Sequence, residues 1–371
     1  MQAVILVGGE GTRLRPLTSG TPKPIVTFVD RPFMAFMLEW LAGHGVEDVI
    51  MSCGFLATKV EAVLGDGSAF GVRLRFVEEP EPRGTAGALK YAEELLEDRF
   101  VLLNGDVLTD VDVSAQIAQH ERAGATGTLG LVPVADPSAY GFVLTEDDGT
   151  VTGFLEKPAP EQLEGIGEYL ISAGIYVLER SVLDRIEPGV KVSIEREVWP
   201  GLVGEGLQGY ASRGTYWMDI GTPDRYLQGT GDILLGNVQT AVGARLDGAR
   251  QCLAPGTVAA GATVTGAVIV EAGASVAAGA AIVGPTVLGR GVAVAAGAIV
   301  ERSVVLDGSS IGIDAHVADA ILSPDVFVGE RTVVRGQAML GEGVSVGADC
   351  RLDRGIKLFP DTALGDGAVR F

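Results

Sequence analysis

At 371 residues and 47% hydrophobic content, the chain is long enough for two domains, each with a sizeable core. A net charge of −20 excludes nucleic acid as a general partner, because binding would have to overcome overall repulsion. The three cysteines, Cys53, Cys252 and Cys350, lie far apart, match no metal spacing and read as free thiols of a reducing compartment.

The chain opens on an apolar run over residues 3–7 with no basic segment before it. Such a run is too short for a signal peptide or a membrane span, so a cytoplasmic protein is expected. The run ends in Gly8-Gly9-Glu10-Gly11-Thr12-Arg13-Leu14-Arg15-Pro16. This reads as a buried strand breaking into a loop whose glycines let backbone N–H groups approach an anion. Arg13 and Arg15 add positive charge, which suits a phosphorylated ligand. A dinucleotide fingerprint would open a helix at this point, and Pro16 resists one. The Gly-Lys-Ser/Thr of a Walker loop is absent.

Short apolar runs then alternate with helical patterns as far as about residue 235. Strands are predicted over 48–52, 74–77, 100–103, 127–132 and 173–177, and helices over 34–44, 57–64, 86–96 and 113–123. This alternation predicts an α/β domain with a Rossmann-like, mostly parallel mixed sheet, whose ligands bind beyond the carboxyl ends of the strands.

Five further segments carry chemistry. Lys23, between Pro22 and Pro24, has a stiffened backbone that suits a fixed charge, though a solvated loop lysine reads equally well. Glu79-Pro80-Glu81-Pro82-Arg83-Gly84-Thr85-Ala86-Gly87-Ala88-Leu89 enters a helix through small residues. That allows a base or phosphate to lie against the backbone, or simply an N-terminal cap at Thr85. Asp106, after Asn104-Gly105, fits an Mg²⁺ ligand or an ordinary turn. Phe154-Leu155-Glu156-Lys157-Pro158 follows. Asp219, in Trp217-Met218-Asp219-Ile220-Gly221, is a carboxylate in an apolar stretch and needs a metal ion or a cation as partner.

From about residue 253 the pattern changes. Aliphatic residues recur every six positions: Val258, Val264, Val270, Val276, Ile282, Leu288, Val294, Val300 and Leu306. After one five-residue step the series resumes at Ile311 and Val317, and after another it runs from Leu322 to Leu364. Such a hexapeptide repeat builds a parallel β-helix with the aliphatic residues inside. It resembles the left-handed β-helix family. His316, the single histidine of this region, reads as structural or exposed rather than as an acyl-transfer base. Exposed coil ends and flat faces point to assembly as a homo-oligomer, a dimer or a tetramer.

In this order the segments resemble the sugar-phosphate nucleotidyltransferases over essentially the whole chain. The resemblance implies a catalytic domain over 1–235, a linker over 236–252 and a left-handed β-helix over 253–371. It implies in-line attack of a hexose 1-phosphate on a nucleoside triphosphate, with pyrophosphate leaving. It further implies that Asp106 and Asp219 hold Mg²⁺, that Arg13 steadies the β- and γ-phosphates, and that Lys23 contacts the reacting phosphates. Lys157 would hold the sugar phosphate and Glu156 the sugar hydroxyls, with Gly141 and Ser172 completing the sugar site. Leu6, Gly8, Gly9, Gly11, Thr12, Gly84, Thr85, Ala86 and Gly87 would form the nucleotide pocket. Gly84–Gly87, the Glu156-Lys157 motif and the Asp219 motif favour the branch that joins GTP to mannose 1-phosphate. Ser172 stands where the family often has asparagine, which opens the sugar preference. The alternatives are thymidylyl, uridylyl or adenylyl transfer to glucose 1-phosphate, added acyl transfer by the β-helix, and a non-catalytic regulatory homologue.

Overall fold

The computed structural model describes residues 1–54 and 56–369, and the chain divides into two compact units. Unit 1 takes Met1–Gly9 and Met34–Met218, and unit 2 takes Glu10–Phe33 and the chain from Asp219 onward. The chain therefore changes unit three times.

Unit 1 is built on one sheet. Its strands are β1 (Gln2–Val7), β2 (Asp48–Cys53), β3 (Arg73–Glu78), β4 (Arg99–Asn104), β5 (Gly127–Val134), β6 (Gly141–Thr145), β7 (Val151–Glu156), β8 (Tyr169–Glu179) and β9 (Leu207–Ala211). Their order is β7-β6-β8-β4-β1-β2-β3, with β5 pairing both β8 and β9. The pairs β1–β4, β1–β2, β2–β3 and β9–β5 are parallel. β8 runs antiparallel to β4, β5 and β6, and β7 antiparallel to β6. The sheet is thus mixed, with its parallel half at the N-terminal end. Ala3, Val4 and Ile5 of β1 are fully buried, as expected of a central strand covered on both faces.

The longer helices are α1 (Phe33–Gly43), α2 (Ala57–Leu64), α3 (Gly84–Tyr91) and α4 (Val113–Ala123), with a single helical turn over Trp199–Leu202. α3 is shorter than the pattern over 86–96 predicts: it ends at Tyr91, and Glu93–Leu95 form a 3₁₀ turn. One core cluster joins Val4, Phe100, Leu102, Leu129, Tyr176 and Trp199. The carboxyl ends of β1 and β4 carry Gly8 and Gly105-Asp106, where ligands of such sheets bind.

Unit 2 holds the segment Glu10–Phe33, helix α5 (Pro223–Leu235) and a stack of short parallel strands in three sheets of seven, six and six strands. The stack is consistent with a left-handed β-helix. Its interior is the predicted aliphatic series, including Val270, Val276, Ile282, Leu288, Val294, Val300, Ile311, Val317 and Leu322. One position is corrected. Val305, not Leu306, pairs in register between Leu288 and Leu322 and joins the core. The five-residue step therefore falls between Val300 and Val305, one side earlier than the sequence suggests. Two adjacent aliphatics made both registers readable, and only strand stacking distinguishes them.

The seven-stranded face differs from the other two. Its outward residues Ile269, Val287, Val304, Ile321 and Met339 are each at most 1% exposed. Within unit 2, helix α5 meets this face: a Cβ on Gly231 would stand 3.2 Å from Pro285 Cγ. Arg250 also donates to the carbonyl oxygens of Ile233 and Leu234 at the helix end.

Candidate active site

In unit 1, Gly8 follows β1 beside the carboxylate of Glu79, which follows β3. Glu79 Oε1 lies 3.8 Å from where a Cβ on Gly8 would stand. Glu79 is 9% exposed, accepts from Ser52 Oγ at 3.1 Å and from the Arg83 amide at 3.2 Å, and keeps a lone pair on each oxygen. Sequence reasoning gave Glu79 no role, although it opens the segment that was singled out.

The small residues of Gly84–Gly87 have a packing cause. A Cβ on Gly84 would stand 2.5 Å from the Val192 carbonyl oxygen, and one on Gly87 would stand 2.7 Å from that of Val190. The amides of Ala86 and Gly87 both donate to Val192. These two N–H groups are therefore engaged within the chain. Thr85 does not cap α3. Its hydroxyl donates to Glu195 Oε2 at 2.8 Å and accepts from the Ile194 amide at 2.8 Å. Arg83 stands at the cap position without a capping side chain.

Asp106 is placed by its neighbour. The Gly105 amide donates to Leu6 O at 3.0 Å, and a Cβ on Gly105 would lie 2.5 Å from Val7 Cγ1 and 2.7 Å from Leu6 O. Only glycine lets the turn after β4 press against β1 there. Leu6 thus acts through its backbone, in register with Ser52 and Asn104.

A second group gathers around β6, β7 and β8. Gly141 faces Phe154 and Glu156: a Cβ there would stand 2.6 Å from the Phe154 ring and 3.2 Å from Glu156 Oε2. Burial, with Glu195 nearby, raises the Glu156 carboxyl above its ordinary range. Lys157 holds a φ of 54° while its amide donates to Tyr140 O at 2.9 Å. Such a conformation costs of order 1–2 kcal/mol and persists where the surroundings fix it. Its side chain is 58% exposed, with Nζ 4.0 Å from Glu156 Oε1. The Tyr140 ring meets Trp217 edge-on at 5.4 Å, and Trp217 Nε1 donates to Ala173 O at 2.8 Å. Ser172 Oγ bonds to the Tyr176 hydroxyl at 3.1 Å, where the β8–β5 register shifts. Ser172 is thereby tied to a buried partner.

Unit 2 carries the other predicted residues. Thr12–Leu14 form a 3₁₀ turn entered through Gly11 at φ 60°. Thr18 Oγ1 donates to Gly11 O at 2.8 Å. Lys23 starts the turn Lys23–Ile25, its Cβ 3.3 Å from where one on Gly11 would lie. Arg13 and Asp219 converge over Gly221. From the place of a Cβ on Gly221, Arg13 Nη2 is 2.7 Å away and Asp219 Oδ2 is 3.2 Å away. Asp219 pairs with Arg225, a partner that the sequence did not reveal because no helical or strand spacing relates the two.

The carboxylates suit a cation that brings most of its own ligands. Among the described residues no group of three or more His, Cys, Asp or Glu could hold a metal ion. Mg²⁺ is usually held by one or two carboxylates together with water and substrate phosphates, and Asp106 in unit 1 and Asp219 in unit 2 are each a donor of that type.

His316 bonds to Glu301 at 3.0 Å and is 37% exposed. All three cysteines are free, and burial beside Glu78 and Glu79 pushes the Cys53 thiol up to about 12. Among the described residues, no helix is long and apolar enough to cross a membrane.

Comparison with known proteins adds the following. A family model described as "Nucleotidyl transferase" matches residues 2–235, and one described as "GMPPB C-terminal domain" matches residues 264–365. A mannose-1-phosphate guanylyltransferase of Mycobacterium tuberculosis is 41% identical over 243 residues, 64% of this chain and 65% of that protein. A mannose-1-phosphate guanyltransferase of Schizosaccharomyces pombe is 40% identical over 62% of this chain and 63% of its own. A UTP–glucose-1-phosphate uridylyltransferase of Synechocystis is 35% identical over 63% of each. The chain thus spans less than two thirds of the length of these curated relatives. Among solved structures, HddC from Yersinia pseudotuberculosis superposes with a TM-score of 0.53 at 28% identity, over 61% of this chain and 96% of that one. A complex of HddC with GMP-PN gives a TM-score of 0.51 at the same identity and coverage.

Proposed function

The chain belongs to the nucleotidyl transferase family, and from that premise we propose that it transfers a guanylyl group from GTP to mannose 1-phosphate, releasing pyrophosphate. The observation that carries the choice of base is Glu79. A carboxylate offers acceptors only, and guanine is the base whose pairing edge presents two adjacent donors, N1–H and the 2-amino group. Uracil and thymine present one donor between two acceptors, and adenine a donor beside an acceptor. Beside Gly8, Glu79 accepts from guanine and repels the carbonyl oxygens of uracil and thymine and the N1 lone pair of adenine. The names of the relatives from Mycobacterium and Schizosaccharomyces agree with this reading.

In this reaction a phosphate oxygen of the sugar phosphate attacks the α-phosphorus in line, and the bond to the β-phosphate oxygen breaks. The protein's task is to bring two polyanions together and neutralise them. Arg13 offsets charge on the β- and γ-phosphates and then on the leaving pyrophosphate, and Lys23 contacts the phosphates at the reacting centre. Lys157 holds the phosphate of the sugar substrate while Glu156 accepts bonds from its hydroxyls. Mg²⁺ held by Asp106 and Asp219 would supply further neutralisation of the triphosphate. Tying Ser172 to Tyr176 leaves it less able to choose between epimers, so glucose 1-phosphate is a second acceptor.

Pyrophosphate release measured over GTP, UTP, dTTP and ATP, each with mannose and glucose 1-phosphate, tests the proposal. GTP with mannose 1-phosphate gives the highest kcat/KM, and Glu79→Gln lowers the preference for GTP over UTP by about 100-fold. A preference untouched by that substitution removes Glu79 from base recognition, and no release with any pair rejects the enzymatic reading.

Glu156 gives a pH signature. Its raised carboxyl loses charge at a higher pH than an ordinary glutamate. The KM for the sugar phosphate therefore rises as pH falls through that value, and Glu156→Gln flattens the part of the profile that does not come from the phosphate itself. Unchanged profiles would place Glu156 outside the sugar site.

The proposal includes a cytoplasmic location, with which the three free thiols agree, and a homo-oligomer formed through the β-helix. Ile299, Ile313 and Phe327 stand exposed on that stack and suit a contact between copies, which light scattering reads directly.

A further inference from the structure

The seven-stranded face of the β-helix carries an apolar outward ladder, Ile269, Val287, Val304, Ile321 and Met339, one residue per coil. The next residue in register, after Met339, is Lys357. Its Nζ donates to the backbone carbonyl of Arg13 at 3.0 Å, across 344 positions of sequence. Arg13 sits in the three-residue turn Thr12–Leu14, between Gly11 in the left-handed region and Arg15 in an extended one. So short a turn has few hydrogen bonds of its own, so a bond to its carbonyl fixes the peptide plane from which the guanidinium projects.

The far end of the same segment is fastened to the β-helix too. Asp30, with its side chain 6% exposed, pairs with Arg245, which also donates to Glu271 at 2.8 Å, next to the strand Val268–Val270. The segment Glu10–Phe33 is thus held at both ends by the stack.

We propose that Lys357 is a positioning residue for Arg13, so that the β-helix aligns the guanidinium that meets the triphosphate. This rests on the reading of Arg13 as a phosphate-binding residue. It makes the stack part of the catalytic apparatus as well as a surface for assembly. An ammonium is required at that rung because a carbonyl must be met, whereas methionine would merely extend the ladder.

The test is a double-mutant cycle in the full-length protein. Lys357→Met is expected to lower kcat/KM for the triphosphate by about tenfold, the range of a lost charge-assisted hydrogen bond. The KM for the sugar phosphate and the melting temperature stay at their parent values, since Lys357 is exposed. Lys357→Arg, which keeps a donor, restores most of the loss. In an Arg13→Ala background Lys357→Met has no further effect, because what it positions is gone. If Arg13→Ala is impaired while Lys357→Met behaves as the parent, or if the two losses multiply, Lys357 does not position Arg13 and the role of Arg13 stands. If Arg13→Ala keeps full activity, the reading of Arg13 fails, and the role of Lys357 with it.

Discussion

Asp219→Asn is expected to lower kcat by about 100-fold or more, the scale seen when a charge-stabilising group acting mainly in the transition state is removed. The carboxylate stands with Arg13 over Gly221 and pairs with Arg225. The amide keeps its shape and removes its charge. Two consequences separate this from simple damage. The local field becomes more positive, so the KM for GTP does not rise. The Mg²⁺ concentration needed for half-maximal rate rises, because one of the two carboxylates proposed to hold the ion has lost its charge. Initial rates of pyrophosphate release over a Mg²⁺ series measure both. A near-normal rate at low Mg²⁺ would take Asp219 out of the metal's reach.

Gly105→Ala should be a damaging single-methyl change in unit 1, and the one that bears directly on Asp106. The added Cβ would lie within 2.7 Å of two atoms of β1, and β1 is the central strand of a buried sheet. Overpacking of this kind costs roughly 1–3 kcal/mol. Because Asp106 is the next residue, the turn yields by moving it, and a displacement of about 1 Å at a reacting centre costs on the order of 100-fold in rate. Urea denaturation and kcat measured together check the pair of effects. Asp106→Asn is the control, losing rate without losing stability. An active, stable Gly105→Ala enzyme would mean that β1 gives way at no cost and that Asp106 is not held by this contact.

The elements that the sequence made legible are those whose pattern is local. The strands of the parallel half and the helices Ala57–Leu64 and Val113–Ala123 follow from hydrophobic periodicity, and the β-helix from the six-residue repeat. What stayed hidden was partnership at long range. Thr85 looks like a cap because caps are judged from neighbours in sequence, whereas its partners, Ile194 and Glu195, lie 109 and 110 residues away. Gly84 and Gly87 read as room for a ligand, and the structure adds a second reason for their size: the backbone of Val190–Val192 lies against the space that their missing side chains leave. Both kinds of small residue look alike in a sequence, since both answer a close approach without naming what approaches. Asp219 was expected to need a cation, and Arg225 is one. That the cation comes from the chain itself could not be read from spacing.

The threefold change of unit also sets an order in time. The lysine that bonds to Arg13 is synthesised 344 residues after it. At 5–20 residues per second, the signature segment spends roughly 17–70 s with part of its scaffold not yet made. Leu14, Val26, Phe28 and Val29, all buried in the finished fold, must wait through that interval. Synthesis thus leaves the segment Glu10–Phe33 to be seated among the last.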